Sequence, residues 1–221
     1  MPVAVALTGL GLYVGCLFIL TSWIRSKWHN SQELSRKIIH IGCGFLLPLS
    51  YLLQISQWIA LTASLVATSL VMINYKMQLL SLIEDVERKT YGTTFYCASI
   101  SILIFFFWSE DPIAMLSGAL VMALSDGLAS LIGRGIPSPT WMVQGQTKSL
   151  AGTATMLLST TTVLIAVSFQ AGSELSLTSL VLISFVITAL EQFSLYGIDN
   201  LTVPIGTASL LALLHGTYSV S

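Results

Sequence analysis

Charge is what this chain has least of. Lys, Arg, Asp and Glu make up 9% of its 221 residues, where a soluble domain carries about 25%. The formal net charge is −1, and no basic patch suggests a nucleic-acid partner, so none is expected. Cysteine is equally sparse. Cys16, Cys43 and Cys97 all fall in apolar stretches, and none has a partner at metal-ligand spacing, which excludes a zinc module or a disulfide scaffold. They read as small buried hydrophobes. No repeat, low-complexity tract or soluble domain is visible. The N-terminal apolar run lacks a basic n-region before it and a small-residue cleavage site after it. It is therefore expected to be a retained helix. An Arg- and Ser-rich transit segment is also missing, which points to a bacterial or already matured chain.

What the chain has in plenty is grease. Hydrophobic residues make up 54% of it, and the mean hydropathy is +0.84. A bilayer-crossing helix needs about 20 largely apolar residues. Several stretches qualify, and eight are candidate spans: 3–24, 38–53, 55–74, 95–109 (short but intensely apolar), 112–133, 150–169, 175–196 and 201–218. The expected fold is an all-α bundle of about eight transmembrane spans, with seven as the alternative count. The last stretch is the weakest, interrupted by Pro204, Gly206 and His215.

The few charges support the count of eight. Arg25, Lys27, Arg36, Lys37, Lys76, Arg88, Lys89, Arg134 and Lys148 all fall in odd-numbered loops. Even-numbered loops hold only Glu110, Asp111 and Glu174. The positive-inside rule then places the odd loops in the cytoplasm and both termini outside. Between the third and fourth spans, Met77, Leu79, Leu80, Leu82, Ile83 and Val86 recur at helical spacing among charged residues. That pattern predicts an amphipathic helix on the membrane surface. Residues Gly135 to Pro139 read as a turn-rich linker.

Five polar clusters share the cytoplasmic side in this topology. Arg36, Lys37 and His40 lie on one helical face by their spacing of three and four. The two cations suit positive-inside anchoring, but His40 lies about a turn deeper. Asp126 is an intramembrane carboxylate, a functional-site candidate by default, set among the small residues Ser125, Gly127, Ala129, Ser130 and Gly133, which suit close helix packing. Lys148 and Ser149, with Gly152 beyond them, open the sixth span, where a lysine beside a helix N-terminus makes an anion site. They do not fit a P-loop. Glu191 stands near the end of the seventh span, and Asp199-Asn200 precede the eighth, with Pro204 in its first turn. Tyr91-Gly92-Thr93 reads as a turn.

Carboxylates with an amide oxygen suit Mg²⁺, which binds through one or two carboxylates plus substrate phosphates. Lysine and a helix N-terminus suit phosphate. Together they are the equipment of phosphoryl transfer, with an alcohol acceptor arriving from the lipid.

Five motifs occur in order: R-K-I-I-H at 36–40, Y-G-T at 91–93, S-D-G-L-A-S-L-I-G-R at 125–134, K-S-L-A-G-T at 148–153 and E-x₇-D-N-L-T-V-P at 191–204. Together they resemble the polyprenol kinase family, covering about residues 33–215 of a single membrane kinase domain, with 1–30 as a peripheral first span. Within that family the chain is most similar to the phytol kinases of cyanobacteria and plastids, whose product feeds tocopherol synthesis. The resemblance implies a bacterial plasma or thylakoid membrane. It also implies CTP, sometimes UTP, as donor and a lipid alcohol as acceptor: phytol, or else farnesol, geranylgeraniol, dolichol or diacylglycerol. By the same resemblance Asp126 and Asp199 hold Mg²⁺ with help from Asn200, and Lys148, Ser149 and Gly152 hold phosphate. Arg36, Lys37 and Arg134 supply further positive charge, and Glu191 or His40 takes the alcohol's proton. One departure is that Gly145-Gln146-Thr147 is less basic than a phosphate loop would suggest. The rival classes are a nucleotidyl-transferring lipid synthase, whose C-terminal acidic motif is not evident, and a small transporter, which would line a midplane path with its charges.

Overall fold

The computed structural model describes residues 2–28, 32–77, 91–173 and 175–218. The amphipathic helix expected over 77–89 lies outside them, apart from Met77. Helices form nearly everything else. Their order is α1 (Val3–Lys27), α2 (Gln32–Gly44), α3 (Leu46–Leu52), α4 (Gln57–Met77) and α5 (Gly92–Phe107), then α6 (Pro112–Leu120), α7 (Gly127–Gly135), α8 (Leu150–Gln170), α9 (Leu177–Gln192) and α10 (Asp199–Tyr218). Four rods are long and apolar enough to cross a membrane: α1, α4, the joined α6–α7 rod Pro112–Gly135, and α8. Two shorter apolar helices, α5 and α9, accompany them. The protein is an α-helical membrane protein.

Three local departures from the expected elements have physical causes. The stretch 38–53 is two helices, because Pro48 has no N–H to give the carbonyl of residue 44 and its ring crowds that carbonyl. The chain therefore breaks between Gly44 and Leu46. The α6–α7 rod widens into a π turn over Val121–Asp126, a feature frequent at functional sites. The third departure is a short antiparallel hairpin, Thr140–Val143 (β1) paired with Gln146–Ser149 (β2), so the fold is not wholly helical. Its turn residues Gln144 and Gly145 have φ of 48° and 83°, the two positive values that a two-residue type I′ turn requires. Lys148 thus sits on a strand rather than in the first turn of α8.

The α6–α7 rod is the axis. In its apolar window 61% of residues are buried, against 6% in α1 and 11% in α4. Glycines set how close its neighbours come. At Gly118 a methyl group would lie 2.5 Å from the Pro204 carbonyl of α10, and at Gly127 it would lie 2.6 Å from the Ile41 side chain of α2. Small residues in this rod are thus packing devices, as in other membrane bundles.

One end of the bundle is closed by hydrogen bonds. Gln57 at the start of α4 donates to the Ile104 carbonyl of α5 at 3.0 Å. His215 near the end of α10 pairs with Asp111 at 2.7 Å and meets Ser173 at 3.3 Å. The functional candidates gather at the other end.

Candidate active site

A single cavity of about 1240 Å³ runs into the bundle from that second end. The residues given a catalytic, phosphate or metal role from the sequence line it: Arg36, Lys37, His40, Asp126, Arg134, Lys148, Ser149, Gly152, Glu191, Asp199 and Asn200. They arrive from α2, the π turn, α7, β2, α8, α9 and α10, so residues up to 164 positions apart in sequence become neighbours through folding alone.

Asp126 is the anchor, 8% exposed. Its Oδ2 accepts from Lys37 Nζ at 2.9 Å and lies 3.2 Å from His40 Nε2. The same His40 nitrogen is 3.0 Å from the Met122 carbonyl oxygen. Two oxygens facing one nitrogen place the proton on Nε2 in the neutral ring, which leaves Nδ1 as the acceptor. Tyr96 holds the backbone here, donating from its hydroxyl to the His40 carbonyl at 2.7 Å, with the two rings edge to face at 4.5 Å. Both oxygens of Glu191 are engaged: Lys148 Nζ pairs with Oε1, and Gln192 Nε2 donates to Oε2 at 2.9 Å. Lys148 also donates to the Glu191 carbonyl at 3.0 Å.

The N-terminus of α8 departs from expectation. Its first N–H groups are already satisfied within the protein. Leu150 N–H reaches the Pro139 carbonyl at 2.9 Å, Ala151 N–H the Ser138 hydroxyl at 3.1 Å, and Gly152 N–H the Ser149 hydroxyl at 3.2 Å. Ser149 is a helix cap, not a donor of free amides to an anion. Gly152 packs against Gly133, whose added Cβ would lie 3.1 Å from the Gly152 Cα. Positive charge at this site therefore resides in side chains.

The sequence reading missed Glu33. It ties two of those cations together: Arg36 at 2.8 Å and Arg134 at 3.4 Å, with Ser130 donating at 3.2 Å. Burial pushes its carboxyl up, but Arg36, then Arg134 and Lys37, outweigh that and hold it below the usual carboxylate range. The available signal was its position three residues before Arg36 on the same helical face. Tyr91-Gly92-Thr93 also acquires a role. Gly197 has φ of +85°, and a methyl group there would lie 2.5 Å from the Gly92 Cα. That contact of two bare backbones sets the turn before Asp199.

Asp199 and Asn200 form the first turn of α10 rather than a preceding loop. Pro204 falls inside the helix, where it gives up the bond to the Asn200 carbonyl and its ring crowds that carbonyl. Burial, and then the charge of Asp126, push the Asp199 carboxyl up to about 6. The Asn200 Oδ1 atom is buried without a hydrogen-bond partner. Among the described residues no three His, Cys, Asp or Glu side chains cluster as a metal centre. The oxygen set is two carboxylates and an amide.

Beyond Tyr96 and His40 the cavity changes character. Its lining becomes apolar, from α1, the end of α2, α3, α4 and α5, and includes Cys43, Cys97, Leu47, Ile55 and Ile104.

The sequence is 34% identical over 211 residues to the phytol kinase of Synechocystis sp., an alignment covering 94% of this chain and 91% of that protein. It is 29% identical over 207 residues to phytol kinase 1, chloroplastic, of Arabidopsis thaliana, covering 84% and 67% of the two chains. No protein-family model matches the chain, and no solved structure matches it. The similarity to the Synechocystis protein spans nearly all of both chains: the chain belongs to the phytol kinase family, phosphotransferases with an alcohol acceptor.

Proposed function

We propose that this enzyme transfers the γ-phosphate of CTP to phytol, yielding phytyl phosphate at the cytoplasmic face of a bacterial plasma or thylakoid membrane. The observation that carries the reading is the continuity of the cavity. Its charged end suits a nucleotide's phosphates, and its apolar continuation suits a hydrocarbon chain, so an alcohol lying in the second would present its oxygen to the first. The relatives' name supplies phytol as the acceptor, and the motif resemblance supplies CTP.

The topology proposed is the eight-span one. The four long apolar rods are joined by α2–α3, α5, α9 and α10, and all the described site cations lie at one end of the bundle.

Mg²⁺ fits the residues present. Asn200 Oδ1 is a buried oxygen in need of a cation or donor, and Asp199 is a carboxyl raised by burial and a like charge. Asp126 has one oxygen committed to Lys37 and His40 and another to offer. Mg²⁺ bound by two carboxylates, an amide and phosphate oxygens would neutralise charge on the departing nucleoside diphosphate. Lys148, Lys37, Arg36 and Arg134 hold the phosphates as point charges and forks. His40 Nδ1 takes the hydroxyl proton as the alcohol oxygen bonds to the γ-phosphorus and the bridging bond to the β-phosphate breaks. His40 suits this role better than Glu191, whose two oxygens are both engaged.

Purified enzyme offered phytol, farnesol, geranylgeraniol, dolichol and diacylglycerol against CTP, UTP and ATP with Mg²⁺ tests the reading. Labelled phytyl phosphate from γ-labelled CTP is expected. No transfer to any alcohol from any donor would overturn it.

A further inference from the structure

The apolar continuation of the cavity has two walls that do not pack on one another. Among the described residues α1 packs on α2 and α3, and α4 packs on α5, with no packed α1–α4 interface. Yet both helices face the same space. From α1 it is lined by Leu7, Leu10, Gly11, Val14 and Phe18, and from α4 by Ala60, Ala63, Ser64, Ala67 and Val71. Each set recurs at three- and four-residue steps, one stripe of a helix. Gly11, Ala63 and Ala67 are exposed while lining the cavity, and the unpacked space between the two helices leaves room for a sideways opening.

We propose that this gap is a lateral entrance from the bilayer, in which the acceptor's isoprenoid chain lies with its hydroxyl toward His40. The proposal rests on the alcohol-kinase reading and adds where the chain enters and what limits its length.

The chemistry of the walls selects hydrocarbon. Every charged residue lining the cavity belongs to its polar end. The hydroxyls in the trough are spent on the helices that carry them: Ser64 donates to the Leu61 carbonyl at 2.8 Å and Ser50 to the Leu46 carbonyl at 2.7 Å. A nucleotide or sugar would find no partners there and would lose its hydration. The length also suits a prenyl chain. Phe18 to Leu7 on α1 spans about 17 Å, and Val71 to Ile59 on α4 about 18 Å, at 1.5 Å per residue. The deep end is stopped by Ile55, Ala60 and Ile104, which are 4%, 8% and 2% exposed. A chain of matching length fills the trough, and a longer one must bend out through the gap. The sparse burial of α1 follows: one face covers the substrate's path and the rest meets lipid.

The test narrows the trough where the structure has room. A methyl group at Gly11 would meet nothing within 4 Å, and Ala63 is exposed on the lining, so Gly11→Phe and Ala63→Phe fill the trough rather than the protein. The quantity measured is the ratio of kcat/KM for geranylgeraniol to that for geraniol. It should fall roughly tenfold or more in both variants, the scale of one misfit apolar group in a pocket. Leu12→Phe is the control, because Leu12 is 66% exposed on α1 and off the lining; its ratio should stay at the wild-type value. An unchanged ratio in folded Gly11→Phe and Ala63→Phe would overturn the proposal. Wild-type protein in bilayers, photolabelled with a geranylgeraniol analogue carrying a diazirine at its far end, gives a reading that needs no variant to fold and no turnover. Label on α1 and α4 peptides supports the entrance, and label confined to α8, α9 or α10 overturns it. If labelling succeeds while no alcohol is phosphorylated, the kinase reading fails and the entrance stands.

Discussion

The bundle has a polar cluster at each end, and the two are built on opposite principles. At the closed end Asp111, His215 and Ser173 saturate one another. Asp111 Oδ1 caps α6 through the Ala114 N–H at 2.9 Å and its Oδ2 meets His215 Nδ1. The Ser173 hydroxyl meets His215 Nε2 and also accepts the Leu175 N–H at 3.4 Å. At the other end the capacity exceeds the partners. Asn200 Oδ1 has none, one oxygen of Asp126 serves two donors, Lys37 and His40, and Asp199 sits half-buried near Asp126's like charge. The lesson is that a buried polar cluster which staples helices closes its own circuit, whereas one that serves chemistry leaves it to be closed by ligands.

The largest expected effect tests the open end. Asp126→Asn should lower turnover at least about 100-fold, since even outer-shell partners of a metal cost ~10–100-fold. It should also destabilise the protein by about 3–5 kcal/mol, because Lys37 is left buried with its charge uncompensated. Lys37→Met/Asp126→Asn restores the charge balance and should regain much of the stability, read as the detergent melting temperature, with no return of turnover. Recovery of activity in the double variant would make the pair a staple after all and erase the contrast.

Two glycines sharpen the comparison next. Gly197, at the open end, and Gly172, in the α8–α9 turn near the closed end, both have positive φ, +85° and +65°. Alanine at either pays the backbone strain, about 1–3 kcal/mol. Only Gly197 also abuts the Gly92 backbone. Gly197→Ala should therefore displace the turn before Asp199 and raise the Mg²⁺ concentration needed for half-maximal rate, while Gly172→Ala should leave that concentration alone. Equal behaviour in a Mg²⁺ titration would detach Gly197 from the site.

His215→Ala should cost about 1–3 kcal/mol, the price of leaving buried polar partners unmet, and leave kcat unchanged per folded molecule. A kcat loss exceeding the loss of folded protein, measured by active-site titration, would show that the closed end takes part in turnover.

Much of the site was legible because a membrane makes charge expensive. Asp126, Lys148, Glu191 and Asp199 stood out against apolar surroundings, and all of them line one cavity. The signals that failed were those depending on three-dimensional partners. Glu33 looks like an ordinary first-turn acid until Arg134 arrives from 101 positions away. The hairpin was hidden because Gln-Gly is a weaker turn signal than Asn-Gly. The free amides expected at α8 were taken by Pro139 and Ser138, whose reach is set by the hairpin itself. The break in 38–53 was legible in principle, since Pro48 predicts it. The trough was not, because Ala63 and Gly11 mean nothing alone and become a wall only when α1 and α4 stand apart.

The smallest expected effect belongs to Glu33. Its carboxyl is held low by Arg36, Arg134 and Lys37, so its ionised form is favoured in the folded state. A carboxyl depressed on folding contributes stability that is fully present above its unfolded value and disappears as pH falls through the folded one. Glu33→Gln should therefore lower the melting temperature at neutral pH. The gap from wild type should close on acidification below the ordinary carboxylate value of 4.5. Partial exposure at both ends of the Arg36 pair keeps the size within about 1 kcal/mol. Because glutamine removes the charge that ties Arg36 and Arg134 together, the KM for the nucleotide should shift more than kcat. The direction decides between two roles: a higher KM means that Glu33 aligns the arginines for phosphate, and a lower one means that it competes with phosphate for them.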